Sequence, residues 1–118
     1  MMRIGEVSLN TNDVIALANF YKQLFGIENG STDAIHQVLI DNETMLTIYN
    51  DGSMKNNSNQ NISLAFTVEN IEMAYQKLLK MGANIIEKPT IRPWGATNMS
   101  FHDPDGNVIY LRSFSKQS

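Results

Sequence analysis

The sequence predicts an α+β domain built from two copies of one βαβββ unit. The first observation is that the same order of segments occurs twice in the sequence. In each copy a strand-like segment is followed by a capping residue, an amphipathic helix and a glycine. The second is that shorter segments of β character follow each helix. The chain has 118 residues, 42% of them hydrophobic and 18% charged, which suits a single core. We therefore expect one domain over residues 1–118, with repeat units at about 1–55 and 58–118.

The first copy begins at residues 7–10, where apolar and polar side chains alternate as in a half-buried strand. Asn12 and Asp13 follow, and either side chain can accept the unpaired N–H groups of a helix start. An apolar stripe at three- and four-residue spacing then predicts a helix. Gly26 ends this helix, because glycine takes the left-handed conformation at little cost. Further strands are expected near Ile27 and at residues 35–41 and 44–50.

The second copy has the same parts in the same order. Residues 64–68 predict a strand, Glu69 and Asn70 provide the cap, and Gly82 closes the helix. The proline and glycine of residues 103–106 (DPDG) indicate a tight turn. Residues 51–61 are rich in Asn, Ser and Gly and predict a linker between the copies. Further strands are expected at residues 84–87, 96–103 and 107–114, with a constrained loop at Pro89 to Trp94.

The composition excludes several classes of function. There is no cysteine, which rules out a disulfide framework, a thiolate metal site and a cysteine nucleophile. A net charge of −3 gives no electrostatic attraction to nucleic acid or anionic lipid. No apolar run approaches the roughly 20 residues of a membrane span, and Glu6 stands where a signal peptide would be apolar. We expect a cytoplasmic protein without nucleic-acid or membrane partners.

Several motifs together carry a family resemblance. They are residues 101–111 (FHDPDGNVIYL), Trp94-Gly95, residues 64–66 (LAF) and the stretch from Phe20 to Gly26. With these motifs in this order, nearly the whole chain resembles the vicinal oxygen chelate superfamily, which includes glyoxalases, bleomycin-resistance proteins and extradiol dioxygenases. The resemblance implies a curved, barrel-like mixed sheet, in which each unit forms half of a cup, the helices pack outside and a ligand sits within.

Strand alternation sorts the side chains into two faces, since successive residues point in opposite directions. One face of each strand is apolar and is expected to lie under a helix. The other face is mixed, which suits a ligand pocket where a few polar groups fix orientation. The alternative is that this face is merely solvated, as on many antiparallel sheets. The expected ligand-binding residues are Glu6, Ser8, Met45, Thr47, Tyr49, Ser63, Trp94, Tyr110 and Arg112.

Metal-dependent members of the superfamily bind a divalent ion with His and Glu side chains from four strands. The resemblance places Glu6, Thr47, Ser63 and Tyr110 at these positions, with Thr47 on a strand that has no anchoring motif. Only Glu6 is a good ligand for a hard cation, whereas a catalytic zinc site needs about three protein ligands. His36 and His102 belong to no two-histidine motif. The sequence therefore predicts no intrinsic metal and no cofactor.

Catalytic residues are not assigned from the sequence. Glu6 is the only candidate general base, and the alternative is that it is paired with a cation such as Arg3 or Arg112. Whether the protein is an enzyme therefore stays open at this point.

Trp94, the only tryptophan, lies in a loop where it can stack on a planar or aromatic ligand, or else anchor the loop by packing. Met45 and Met99 fall on strands and are expected to line the cup. An aromatic loop residue, a mixed cup and no metal quartet resemble the antibiotic-sequestering, bleomycin-resistance branch. That resemblance implies a homodimer, which also suits a chain too short to enclose a deep pocket alone.

Three hypotheses follow. The first is a metal-independent binder of a small molecule, aromatic or antibiotic-like. The second is a divalent-metal-dependent lyase, isomerase or dioxygenase of the lactoylglutathione lyase kind. The third is an orphan module with a structural or interaction role. The sequence names no ligand and does not distinguish intrachain from domain-swapped pairing of the repeats.

Overall fold

The computed structural model describes residues 1–53 and 62–114, so residues 54–61 of the predicted linker and the last four residues lie outside it. The described residues form an α+β fold, as predicted, and divide into two compact units, Met1–Asn56 and Asn57–Ser118. None of the helices in these residues is long and apolar enough to cross a membrane. The element order is β1 (Glu6–Asn10), α1 (Val14–Phe25), β2 (His36–Ile40), β3 (Met45–Tyr49), β4 (Leu64–Thr67), α2 (Ile71–Lys80), β5 (Asn84–Ile91), β6 (Ala96–His102) and β7 (Val108–Phe114).

The first unit is a three-stranded mixed sheet with α1 on one face. The strand order is β1-β3-β2, with β1 parallel and β2 antiparallel to β3. Helix α1 contacts β2 and β3. Leu17 and Tyr21 of its apolar stripe are fully buried, together with Ile48 of the central strand. The helix thus covers the face of the sheet that the alternation predicts to be apolar.

The second unit is a four-stranded mixed sheet with α2 on one face. The strand order is β4-β7-β6-β5, with β4 parallel to β7 and the other pairs antiparallel. Helix α2 contacts β5, β6 and β7. Leu78 of the helix and Phe101, Ile109 and Leu111 of the strands are buried. Both sheets have free edges in the described residues, so neither of them closes into a barrel by itself.

The two helices begin and end with the same hydrogen bonds. At the start, Oδ1 of Asp13 and of Asn70 each accepts the backbone N–H three residues later, at 3.0 Å. At the end, Gly26 and Gly82 have positive φ angles of 65° and 74°. Each glycine N–H bonds to the carbonyl three residues earlier, and the next residue bonds to the carbonyl five residues earlier. These are the caps that the sequence predicts.

The strand expected near Ile27 does not form. Residues 27–33 have no regular structure, because their side chains bond to nearby backbone groups. Asn29 accepts from the N–H of Ser31, and Asp33 accepts from the N–H groups of Ile35 and His36. Short polar side chains compete with a β ladder in this way. The first unit therefore has one strand fewer than the second.

Strand β5 is longer than predicted and continues through Pro89 to Ile91. Proline lacks an N–H and is tolerated in a strand mainly at a sheet edge or at a bulge. Strand β5 is an edge strand, and its pairing with β6 is irregular between Glu87 and Thr90, on either side of the proline. The expected constrained loop is reduced to the tight turn between β5 and β6, which contains Trp94 and Gly95.

Candidate ligand-binding site

Each sheet has a face that its own helix does not cover, which we call the open face. In unit 1, Val7 and Leu9 of β1 share the helix-covered face with Leu46 and Ile48, to which they pair. The alternate residues belong to the open face, since successive side chains of a strand point to opposite sides. The open face of unit 1 comprises Glu6, Ser8 and Asn10 of β1, Met45, Thr47 and Tyr49 of β3, and His36 and Val38 of β2.

Glu6 and Thr47, two of the predicted site residues, are in contact on the open face of unit 1. The hydroxyl of Thr47 donates a hydrogen bond of 2.8 Å to Oε2 of Glu6. Thr47 is buried, whereas Glu6 lies at the exposed start of β1. One carboxylate lone pair is therefore occupied by an alcohol of the protein. Among the described residues, Glu6 forms no ion pair with Arg3, one of the two cations considered as its alternative partner.

His36 and Tyr49 form a second contact on the same face. Their rings meet edge to face, with centroids 5.7 Å apart. Tyr49 is paired with both His36 and Asn10 in the sheet. Glu6 lies four residues along β1 from Asn10, which at about 3.3 Å per residue corresponds to roughly 13 Å. His36 is therefore too far along the sheet to act on the same atom as Glu6.

The open face of unit 2 is sorted by the same rule. Leu111 and Ile109 of β7 pair with Phe66 and Leu64 of β4 on the helix-covered face. Ser63, a predicted site residue, lies in the exposed segment just before β4. The open face comprises two rows across the strands: Thr67, Arg112, Asn98 and Thr90 in one, and Ala65, Tyr110, Ser100 and Glu87 in the other.

Arg112 is fixed on this face by two contacts. Its Nε donates a hydrogen bond of 2.9 Å to the hydroxyl of Thr67, its partner in the sheet. Its guanidinium carbon also lies 5.1 Å from the centroid of the Phe114 ring, in the range of a cation–π interaction. Tyr110, two residues earlier on the same strand, is partly exposed beside it. Unit 2 thus presents a held cation next to a phenol.

Asn98 and Ser100 of β6 belong to this face, although they are not among the residues predicted to bind a ligand. Ser100 is buried, and Oδ1 of Asn98 is buried without a hydrogen-bond partner in the described part of the chain. The signal was present in the sequence: polar Asn98, Ser100 and His102 alternate with apolar Met99 and Phe101. Applying strand alternation to this segment would have placed them on the open face.

Met99, by contrast, does not line this face as expected. It pairs with Leu111 on the helix-covered side and is fully buried there. Sorting β6 by alternation would have corrected this prediction as well, because Met99 shares the parity of Phe101. Met45 lies on the open face of unit 1 and is half-buried.

Trp94 lies at the tip of the turn between β5 and β6, with 69% of its surface exposed. The turn is closed by hydrogen bonds from Gly95 N–H to Arg92 O (3.1 Å) and from Arg92 N–H to Ala96 O (2.7 Å). Arg92 also forms an ion pair with Glu87 of β5. The turn leaves most of the Trp94 side chain exposed to solvent, which does not support a role as a packing anchor.

The DPDG turn after β6 uses its polar groups for its own structure. The carboxylate of Asp103 accepts the N–H groups of Asp105 and Asn107 and the side-chain amide of Asn107, at 2.9 to 3.0 Å. Nδ1 of the half-buried His102 lies 3.0 Å from the carbonyl of Gly106. The residues therefore serve turn formation, as the sequence predicts.

The described residues contain no group of three His, Asp or Glu side chains placed to hold a metal ion. The carboxylate of Glu6 accepts a hydrogen bond from the hydroxyl of Thr47. In unit 2, Ser63 and Tyr110 stand at the other positions where the resemblance places metal ligands, and both offer neutral oxygens. This donor set does not fit a catalytic divalent cation, which needs about three anionic or imidazole ligands.

Comparison with known proteins identifies the family. The profile of the Glyoxalase/Bleomycin resistance protein/Dioxygenase superfamily matches residues 3–111, and the chain belongs to this superfamily. YraH of Bacillus subtilis (strain 168), an uncharacterized protein, is 28% identical over 127 residues, covering 93% of this chain and 97% of YraH. YetH of the same organism, also uncharacterized, is 36% identical over 70 residues, which are 59% of this chain and 58% of YetH.

A solved structure supports the same fold. The glyoxalase-related enzyme from Fulvimarina pelagi superposes with a TM-score of 0.77 at 18% sequence identity, covering 96% of this chain and 88% of that one. At this level of identity the similarity concerns the fold alone, and the function has to be argued from the residues of the open faces.

Proposed function

We propose that this protein binds a small organic molecule on its open faces without a catalytic metal. The observation that carries the proposal is the bond between Thr47 and Glu6, with an alcohol in place of a second anionic ligand. Glu6 is the one carboxylate among the open-face residues of unit 1. A divalent ion held there would have only one strong ligand, which is too few for a stable site.

The open face of unit 2 supports the same proposal, although it carries a positive charge where the open face of unit 1 carries a negative one. Its inner strand β7 carries Arg112, and a fixed cation repels a divalent metal rather than binding it. Its carboxylate, Glu87, is engaged in the ion pair with Arg92. The remaining groups are hydroxyls, an amide and aromatic rings, which suit an organic ligand with a few polar atoms.

Trp94 and Tyr110 provide aromatic surface for such a ligand. Both are partly or largely exposed, and exposed aromatic residues next to fixed polar groups are typical of binding surfaces. We propose that aromatic or antibiotic-like compounds are the class of ligand to try first. The proposal treats Glu6 as a hydrogen-bonding group and assigns no catalytic step to it.

A thermal-shift screen in EDTA tests the proposal. A ligand present at 100 times its Kd stabilises the folded state by about 2.7 kcal/mol, which raises Tm measurably. We expect organic compounds to raise Tm in EDTA, and the Tyr110→Ala variant to lose this effect. Leu79→Ala, an exposed change on α2 away from the open face, serves as the matched control. Stabilisation that requires Zn²⁺, Ni²⁺, Mn²⁺ or Fe²⁺ and disappears in EDTA would instead support the metal-dependent enzyme.

Trp94 provides an independent optical readout, because it is the only tryptophan. Its fluorescence should change on binding of an aromatic ligand that stacks on the exposed indole. Trp94→Phe removes the signal and shows by thermal shift whether the indole also contributes affinity. A flat response of both fluorescence and Tm across a broad panel of organic compounds would favour the structural module.

The homodimer and the cytoplasmic location remain proposals that rest on the family resemblance and on composition. Light scattering coupled to size-exclusion chromatography measures the first directly, and we expect twice the mass of the 118-residue chain. The absence of a nucleic-acid partner also remains a prediction, supported by the net charge of −3.

A further inference from the structure

A polar row crosses the middle of the open face of unit 2. Thr67 of β4, Arg112 of β7 and Asn98 of β6 are direct neighbours in the sheet register. Directly opposite residues of an antiparallel pair, such as Arg112 and Asn98, have Cβ atoms about 4.5 to 5.5 Å apart, and Thr67 is hydrogen-bonded to Arg112. A guanidinium, a hydroxyl and a primary amide therefore lie within the reach of one small molecule.

The guanidinium of Arg112 is held so that part of it remains free. Its Nε is bonded to Thr67 and its plane lies near the Phe114 ring. Its two Nη groups have no hydrogen-bond partner within residues 1–53 and 62–114. Two parallel N–H groups of a fixed guanidinium match the two oxygens of a carboxylate, and the prior fixation reduces the entropy lost on binding.

Asn98 needs a hydrogen-bond donor, whereas Arg112 needs an acceptor. Its buried Oδ1 is an acceptor, and no donor of the described residues reaches it. If the terminal O and N atoms of this amide were exchanged, the buried atom would still be a polar group without a partner. A buried polar group without a partner is costly. Asn98 as a whole is only half-buried, so a turn of its amide toward the open face would let a ligand supply the missing hydrogen bond and gain affinity.

We propose that this row recognises a carboxylate that carries a hydroxyl or amide N–H on the neighbouring carbon. The carboxylate would accept two hydrogen bonds from the Nη groups of Arg112, and the hydroxyl or N–H would donate to Oδ1 of Asn98. Any apolar part of the ligand would extend toward the rings of Phe114 or Tyr110. This inference rests on the proposed function and adds the chemical class of the ligand.

Three commercial compounds separate the two contacts. Mandelate has a carboxylate, an adjacent hydroxyl and a phenyl ring, phenylacetate lacks the hydroxyl, and benzyl alcohol lacks the carboxylate. With Kd values measured by NMR titration, we expect mandelate to bind roughly fivefold to tenfold more tightly than phenylacetate, the effect of one net hydrogen bond. Benzyl alcohol should bind at least about tenfold more weakly than mandelate, because it forms no charge-assisted bond. Inorganic phosphate, added as a fourth probe, should bind more weakly than mandelate because it has no ring.

Two variants assign these differences to residues. Arg112→Gln should weaken mandelate and phenylacetate alike, by about tenfold or more. Arg3→Gln makes the same change of charge on an exposed residue of unit 1 and should leave both Kd values unchanged. Asn98→Leu should make the two acids bind equally, without lowering the Tm of the free protein, because it replaces a buried acceptor by an apolar group of similar size.

Each alternative outcome overturns the inference. Equal Kd values for mandelate and phenylacetate in the unchanged protein would show that Asn98 forms no stabilising hydrogen bond with the hydroxyl of mandelate. A structure of the mandelate complex in which the hydroxyl of mandelate makes no hydrogen bond to Oδ1 of Asn98 would show the same. If the three compounds fail while other organic molecules raise Tm and shift resonances of the open faces, this ligand class is wrong but the proposed function holds. If no organic molecule binds, both are wrong.

Discussion

The two units share their framework and differ in the chemistry of their open faces. The N–H of Thr11, after β1, bonds to Tyr49 O, and the N–H of Val68, after β4, bonds to Arg112 O. The helix caps correspond in the same way. On the open faces, however, a threonine hydroxyl holds the carboxylate of Glu6 in one unit, and another holds the guanidinium of Arg112 in the other.

This difference separates what the fold needs from what the function uses. Caps, buried helix residues and strand pairing are repeated because each unit needs them to bury its apolar face. The open-face residues are not repeated, so the fold does not require a particular side chain at these positions. The proposed function assigns ligand recognition to these residues, and under it the carboxylate of Glu6 and the guanidinium of Arg112 would contact groups of different charge.

The largest expected effect comes from a core position that the two helices share. Tyr21 and Leu78 lie eight residues after the caps Asp13 and Asn70, and both are fully buried. Leu78→Ala should lower the free energy of unfolding by about 2–5 kcal/mol, because it leaves a cavity. The neighbouring Leu79 is 45% exposed, and Leu79→Ala should cost less than about 1 kcal/mol. Urea denaturation followed by circular dichroism measures both, and equal losses would contradict the assigned core.

The glycines that end the two helices should give the next largest effect. Gly26→Ala and Gly82→Ala each force a Cβ into a left-handed conformation, at a cost of about 1–2 kcal/mol. A Cβ at Gly82 meets nothing within 4 Å, so the loss there comes from the backbone conformation alone. Gly5→Ala, which also meets nothing and has no positive φ, should be nearly neutral. A loss at Gly82 no larger than at Gly5 would break the correspondence of the caps.

The capping side chains sharpen the comparison further. Asp13→Ala and Asn70→Ala should each lower the free energy of unfolding by about 1 kcal/mol, since each removes one bond to a helix N–H. Asp13→Asn should have little effect, because asparagine caps as well as aspartate. Thermal denaturation of the three variants tests this, and a large loss in Asp13→Asn would mean that the charge of Asp13 matters beyond capping.

The smallest effect concerns Asp33, which lies in the irregular segment between α1 and β2. Hydrogen bonds from the backbone N–H groups of Ile35 and His36 lower the pKa of Asp33. A lowered pKa in the folded state means that ionised Asp33 stabilises the fold above its unfolded pKa. This contribution is lost as pH falls through the folded pKa. NMR titration should therefore give Asp33 a pKa below the ordinary value of about 3.9. In Asp33→Asn, the free energy of unfolding should decrease less as pH falls into the acid range.

The order and type of most elements were predictable because local chemistry determines them. Asp13, Asn70, Gly26 and Gly82 mark the helix ends, and period-two alternation marks the strands. The missing strand near Ile27 and the longer β5 were not predictable, since they depend on competition. Side-chain bonds displace the ladder in one case, and an edge position tolerates Pro89 in the other.

The sequence predicts on which face of its strand each candidate residue lies, but it does not predict which residues are in contact. Alternation is sufficient to place Tyr110 and Arg112 on one face of β7, and Thr47 and Tyr49 on one face of β3, because parity along a strand does not depend on tertiary structure. The bonds that Glu6 and Arg112 make to threonines depend on strand register, which a sequence without anchoring motifs does not give. Alternation along β6 would also have placed Asn98 on the open face, but its unsatisfied buried oxygen is visible only in the structure.

The central claim is that the open faces bind organic ligands without a divalent ion, and the metal content of the purified protein tests it most directly. Protein prepared without chelators and measured by inductively coupled plasma mass spectrometry should contain Ni, Zn, Mn and Fe only in substoichiometric amounts. The contrary result would be one equivalent of any of these metals that is lost in Glu6→Gln. The control variant Glu28→Gln, an exposed change outside the strands, would have to retain the metal.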